Sequence, residues 1–210
     1  MIEPIKPPRR KNPLLRTRLP ASPPRARSRT SHGYTRGAAE GRFLLQRCEA
    51  CGAFAYPARE ACPSCLSFGL AFVDAPRRGM LLCETTARVP SDVYFRERTP
   101  WRIGLVKMDC GPTIVTHLHA DCVEGAPVRM SFQLDKSGQA VAFAHPEGET
   151  PNMADDKQWR EMTADPKFRR VLVTNGRSVI GQEAVAALKG AGAKTVFVGV
   201  AEPWRRRNRV

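Results

Sequence analysis

The sequence predicts a mainly β protein: a small metal-clamped ribbon, a five-stranded barrel of the OB type, and a C-terminal βαβ unit. Three observations carry this. Two Cys-x-x-Cys turns, Cys48 with Cys51 and Cys62 with Cys65, stand ten residues apart. Five apolar stretches with strand-like alternation follow, with no helical periodicity between them. From residue 169 the pattern becomes apolar run, glycine-bearing turn, helical stretch and second apolar run.

A chain of 210 residues holds one mid-sized domain or two small ones. Its formal charge of +14 is unevenly placed. Residues 1–30 hold nine Lys or Arg against one acid, Glu3, and the last eight residues hold four Arg. The two ends account for +12, leaving +2 for everything between. A groove for a phosphate backbone carries its charge on the folded surface, so a nearly neutral body argues against that function. No stretch approaches the roughly 18 continuous apolar residues of a membrane helix, which points to a soluble chain. Residues 1–30 lack the apolar core of a secretory signal, and an odd count of seven cysteines suits a reducing compartment; a cytoplasmic protein is expected. Cys83, Cys110 and Cys122 read as small buried hydrophobes.

Residues 1–30 place Pro4, Pro7, Pro8, Pro13, Pro20, Pro23 and Pro24 among arginines and serines. Such a segment buries too little apolar surface to offset its ordering entropy, so a disordered basic tail is expected. It is Arg-rich and acid-poor like a transit peptide, but its prolines spoil an amphipathic helix.

Residues 31–66 are expected to form a short helix and the ribbon. The helix covers about 31–42, residues 43–46 form the strand entering the first cysteine turn, and 54–57 the return strand. Paired Cys-x-x-Cys turns at this separation bring four thiolates to the corners of a tetrahedron, which suits a zinc ion closed to solvent. Two disulfides or four unrelated core thiols are the alternatives. Gly52 gives the first turn a residue free to take positive φ, and Pro63 stiffens the second. Cys48, Cys51, Cys62 and Cys65 leave no open coordination position, so the metal is structural and not catalytic. Iron takes the same four ligands.

Residues 67–146 supply the barrel strands at about 80–89, 103–108, 113–120, 128–134 and 141–145, with Asp109-Cys110-Gly111-Pro112 as a hairpin turn. Five strands with irregular connections suit a small Greek-key barrel. Residues 147–168 are polar and read as a linker with one helical turn near Trp159. Residues 169–210 form the βαβ unit, with strands near 169–174 and 195–200. One such unit of about forty residues cannot bury its sheet faces alone. Either it packs on the barrel or a partner, or the chain is a truncated form of a longer fusion; the run from Trp204 to Val210 favours the latter.

The stretch 34–145 resembles the zinc-ribbon/OB-fold proteins that accompany thiolases and other acyl-CoA enzymes. The resemblance rests on Leu45-Gln46-Arg47-Cys48-x-x-Cys51-Gly52, Tyr56-Pro57-Ala58-Arg59, Cys62-Pro63-x-Cys65, Gly79, and the run from Pro100-Trp101-Arg102-Ile103-Gly104 through Asp109-Cys110-Gly111-Pro112. It implies a small accessory subunit with a rubredoxin-like metal knuckle and an OB barrel. Such a subunit partners a thiolase-fold or other acyl-CoA enzyme and helps present or shelter acyl-CoA. It carries over no catalytic residue.

The segment 170–200 looks like a degraded opening of a short-chain dehydrogenase/reductase, a partial Rossmann-like unit. Thr174, Ile180 and Gly181 match the family's first turn; Gly176 lies one place late, and Asn175 and Val179 replace glycines. Side chains there obstruct the approach of backbone amides to a pyrophosphate. Glu202 is a loose substitute for the ribose-binding acid. The Tyr-x-x-x-Lys pair is absent, because Tyr34, Tyr56 and Tyr94 all lie upstream. Neither NAD(P) binding nor reductase activity is expected.

Three further groups have two readings each. His117 and His119 alternate on one strand as a metal pair would, but with no third ligand they read as satisfied strand histidines. Cys110 sits in a turn without a basic partner and reads as an ordinary thiol. Tyr94, Phe95 and Trp101 form a loop cluster that could stack bases or meet a protein, and the neutral body favours the protein. The function expected is therefore a non-catalytic accessory protein to an acyl-CoA enzyme. The alternatives are a single-stranded nucleic-acid-binding OB protein and a fragment of a dehydrogenase fusion.

Overall fold

A computed structural model of the chain describes residues 22–25, 27–150 and 156–199. Most of the expected basic tail, and the arginine run near the C-terminus, lie outside these residues. Where the tail is described it is folded, which shortens the expected disordered segment. Pro23 is buried and its carbonyl accepts from Ser137 Oγ at 2.7 Å. Arg27 pairs at 3.4 Å with Asp135, whose carboxylate is wholly buried. A buried carboxylate needs a cation or hydrogen-bond donors, and Arg27 with the Ser137 and Gln139 amides supplies both.

A 3-10 turn, Arg29–Ser31, leads into α1, His32–Ala39, which buries Tyr34 and Gly37. Next come β1, Leu44–Cys48, and β2, Phe54–Ala55, paired antiparallel. The sequence reading placed the chain after Cys65 in the barrel. Instead β3, Leu70–Asp74, pairs along the whole of β1, giving a three-stranded ribbon sheet of order β2-β1-β3. Phe72 explains this: its ring lies edge-on to Tyr34 at 5.1 Å, closing α1 onto the ribbon.

The barrel strands are β4, Arg78–Ala87; β5, Trp101–Met108; β6, Thr113–Leu118; β7, Pro127–Leu134; and β8, Ala140–Pro146. They close in the order β4-β5-β6-β8-β7, with β6 and β8 parallel and the other pairs antiparallel. That is the connectivity of an OB barrel. A bulge between Leu81 and Cys83 breaks the alternation of β4, so Leu81 points inward while Leu82 and Cys83 both face solvent. One core cluster runs through the barrel and into the ribbon: Phe43 and Tyr34 stack on Phe132 at 4.9 and 4.8 Å.

A second cluster corrects two expectations. Between β4 and β5 the chain forms α2, Val93–Arg96, capped by Asp92. This turns Tyr94 and Trp101 into the interior, beside Phe143, Trp159 and Met162. The aromatic group read as a loop surface is core. The expected linker also folds: α3, Lys157–Met162, docks Trp159 edge-on against Phe143 at 4.9 Å. Asp156 fixes it, accepting from the amides of Trp159 at 2.7 Å and Ala120 at 2.8 Å. A polar composition read as solvated carries just the few apolar residues that this side of the barrel needs.

After a 3-10 turn, Pro166–Phe168, follow β9, Arg170–Val173; α4, Val179–Gly190; and β10, Thr195–Val198. The two strands pair in parallel in a separate two-stranded sheet. Among the described residues no helix is long and apolar enough to cross a membrane.

Candidate metal centre

Cys48 closes β1, Cys51 stands in the turn before β2, and Cys62 and Cys65 stand in the long turn before β3. The two turns are built alike. The Gly52 amide donates to Cys48 O at 2.9 Å and the Leu66 amide to Cys62 O at 3.0 Å. Gly52 has φ 74°, as its position after the first pair predicts. Leu66 has φ 61°, although nothing in the sequence marks a leucine for that conformation. The turns are held to the sheet by the Cys48 amide donating to Ala53 O and the Cys62 amide to Ser67 O.

The four Sγ atoms lie within 4.8 Å of one another. Cys48 and Cys65 approach to 3.6 Å, as do Cys51 and Cys62. A disulfide would require about 2 Å. A tetrahedral ion with metal–sulfur bonds of about 2.3 Å places its sulfurs about 3.8 Å apart. The spacing therefore excludes two disulfides and fits a tetrahedral site. The electrostatics point the same way. Amides of Cys51 and Ala50 aimed at Cys48 draw its pKa down to about 6. The Ser64 and Cys65 amides lower Cys62. The Ser67 amide favours the thiolate at Cys65 as well, but the neighbouring sulfurs of Cys51 and Cys48 outweigh it and push Cys65 up to about 12. Four thiolates this close repel one another until a cation is shared among them. The residues fit a structural zinc or iron ion, whose contribution when bound is to pin the two turns together.

The other predicted residues are not drawn to this centre. Thr174 follows β9, and Gly176 packs where an added Cβ would stand 2.0 Å from Val198. Gly181 abuts the Asn175 carbonyl, where a Cβ would fall at 1.9 Å. Its amide donates to Ser178 Oγ at 3.0 Å, and Ile180 faces solvent. Both glycines are thus required for close packing of this turn, and Ser178 caps the start of α4. His117 Nδ1 accepts from Trp101 Nε1 at 2.9 Å, and burial lowers its pKa to about 4. His119 Nδ1 accepts from the Asp121 amide at 3.1 Å. Among the described residues, neither belongs to a group of metal-ligating side chains. Cys122 is buried, Cys110 is half-buried with its pKa raised by burial, and Cys83 is exposed, against expectation, because of the β4 bulge.

A four-sulfur ribbon seated on a closed barrel of OB connectivity defines a two-part zinc-ribbon/OB protein. Residues 35–71 match the family described as "ChsH2, rubredoxin-like zinc ribbon domain" and residues 72–133 that described as "ChsH2, C-terminal OB-fold domain". The two matches meet within β3 and together span just under half of the chain. The chain is 30% identical over 98 residues to a probable enoyl-CoA hydratase alpha subunit of Thermomonospora curvata. That match spans 47% of this chain and only 30% of the relative's length. The solved structure described as "Ltp2-ChsH2(DUF35) aldolase" is similar at a TM-score of 0.50 and 25% identity, covering 59% of this chain and 98% of that one. A DUF35-family protein of unknown function from Sulfolobus solfataricus aligns at a TM-score of 0.40 and 15% identity, over 56% of this chain and 87% of its own, a likeness too low to argue from. The family matches end at residue 133, and the comparisons give no support to a short-chain dehydrogenase start.

Proposed function

We propose that this chain is a non-catalytic accessory component of an acyl-CoA-processing enzyme, of thiolase fold or another. Its cysteine-held zinc or iron ion keeps the ribbon rigid, and the partner contributes the chemistry. The observation that carries this reading is the likeness to nearly the full length of a chain in a structure that names an aldolase together with a ChsH2 (DUF35) component. The enoyl-CoA hydratase subunit points to the same class of substrate. Reduced, metal-ligating thiols go with a cytoplasmic setting.

The outer face of β4, β5 and β6 offers the partner a surface. Leu105 pairs with both Cys83 and Val115, and these apolar side chains line a depression of about 190 Å3. Val115 is 60% exposed, with Leu82 and Met80 nearby on the bulged strand. Binding of single-stranded nucleic acid is the weaker reading, because Tyr94 and Trp101 are buried and cannot stack bases.

Co-expression of the tagged intact chain with an acyl-CoA enzyme from the same genome, followed by size exclusion with light scattering, tests the reading. A stoichiometric complex that Val115→Asp weakens while metal content is unchanged supports it. A monodisperse monomer with no affinity for CoA or its thioesters contradicts it.

A further inference from the structure

Where α3 ends against the barrel, cations gather about Glu161. The bridge between Asp135 and Thr163 brings the turn after β7 onto the end of α3, and the Lys136 amide donates to Met162 O at 2.9 Å. Glu161 accepts from Arg98 Nε at 2.9 Å and stands 3.7 Å from Lys136 Nζ. Lys157, one helical turn earlier on α3, acts on it as well. Arg169 donates to the carbonyls of Asp165 at 3.2 Å, Arg160 at 2.5 Å and Thr163, and pairs with no carboxylate among the described residues. Asp135 cannot serve these cations. Its wholly buried carboxylate is held by Arg27 and by the Ser137 and Gln139 amides.

The charges at the centre of the cluster are poorly hydrated. The Arg98 side chain is 12% exposed and that of Lys136 23%. Burial lowers the Lys136 pKa; Glu161 opposes this, but Arg169 and Arg98 add repulsion. Largely buried charges come with counter-charges, and one carboxylate cannot balance Arg98, Lys136, Lys157 and Arg169. The shortfall marks the place of an anion. The cluster is also held in position. Arg98 donates to Tyr94 O at 2.9 Å with its guanidinium 3.9 Å from the centre of the Tyr94 ring, and the Tyr94 hydroxyl donates to Glu161 O at 2.5 Å. Two planar guanidinium groups and one ammonium suit the several oxygens of a phosphate, which each guanidinium can meet with paired donors.

We propose that Arg98, Lys136 and Arg169 bind a phosphate monoester, supplied as the ribose phosphate of coenzyme A. The source rests on the acyl-CoA reading above, whereas the anion site rests on the charges of this chain alone.

Calorimetric titration of the intact chain, without a partner, with CoA, dephospho-CoA and inorganic phosphate tests this. CoA is expected to bind roughly tenfold more tightly than dephospho-CoA, the worth of one charge-assisted hydrogen bond. Lys136→Met is expected to erase that preference. Arg25→Met removes an equal charge from an exposed position and is expected to keep it, which separates the site from general attraction to a chain of charge +14. Should Lys136→Met fail to fold, phosphorus NMR of CoA with the unaltered chain decides: the monoester signal is expected to shift ahead of the diphosphate signals. Diphosphate signals that move first overturn the proposal. So does equal affinity for CoA and dephospho-CoA, a preference that survives Lys136→Met, or one that Arg25→Met also removes. Inorganic phosphate bound through Lys136, with no gain to CoA from its monoester, overturns the CoA source. Any of these results leaves the accessory reading intact if the complex with an acyl-CoA enzyme still forms; loss of that complex leaves a Lys136-dependent preference for CoA standing.

Discussion

Gly52 and Leu66 occupy equivalent places in the two cysteine turns. Each follows the second cysteine of its pair, donates its amide to the first cysteine's carbonyl, and takes positive φ, 74° and 61°. A leucine in the left-handed region costs about 1–2 kcal/mol. Leu66 is also 74% exposed, so it recovers little by burial. Leu66→Gly is therefore expected to stabilise the protein by about 0.5–1 kcal/mol after the extra unfolded-state entropy of glycine is subtracted. Gly52→Leu is expected to destabilise it. Urea unfolding of the two variants checks both signs; a destabilised Leu66→Gly would contradict the strain.

The ribbon's order is expected to depend on the metal. Structural four-sulfur sites supply on the order of 10 kcal/mol of folding free energy. Cys62→Ser should collapse residues 44–74, seen as loss of their dispersed amide signals. The Phe43–Phe132 stack would go with them, so barrel signals near β7 should broaden too. Unchanged spectra and thermal stability would count against a structural role.

Trp159 belongs to the barrel's second core, in T-shaped contact with Phe143 at 4.9 Å and His145 at 4.8 Å. Trp159→Ala is expected to cost about 3–5 kcal/mol. Asp156→Ala removes the cap of α3 and orphans the Ala120 amide, with an expected loss of about 1–2 kcal/mol. A linker, by contrast, would tolerate both, so chemical denaturation distinguishes the two descriptions.

Burial lowers His117 and His145 to about 4, from an ordinary value of 6.5. Each stays neutral in the folded protein across the window where its unfolded counterpart protonates. Stability is thus expected to fall as pH drops from about 6.5 to 4, by ~3 kcal/mol for His117, and to level off below. Metal release acts in the same direction, so the histidine part is read as the difference between the unaltered chain and His117→Gln. Parallel pH profiles for the two would contradict it.

The legible parts of this fold were those written in local patterns. The cysteine spacing located the four thiols that the fold gathers, and strand alternation located all five barrel strands to within about two residues. What stayed hidden depended on tertiary partners. Nothing around Leu70 says that β3 pairs with β1 and not with the barrel. Tyr94 and Trp101 looked like loop aromatics because α2 and the distant Trp159 bury them. Asp135 draws Arg27, more than a hundred residues earlier in the chain, out of a stretch whose composition alone suggests disorder. Leu66 escaped notice because its backbone strain is imposed by the sulfur geometry and not by its own preferences.

Metal analysis of the purified intact chain, by mass spectrometry against protein concentration and with Cys48→Ser as control, bears most directly on the whole picture. One zinc or iron ion per chain is expected, falling to near zero in the variant. Material that is folded yet holds neither metal, or a Cys48→Ser protein that retains it in full, would contradict a sulfur-held ion as the anchor of the ribbon.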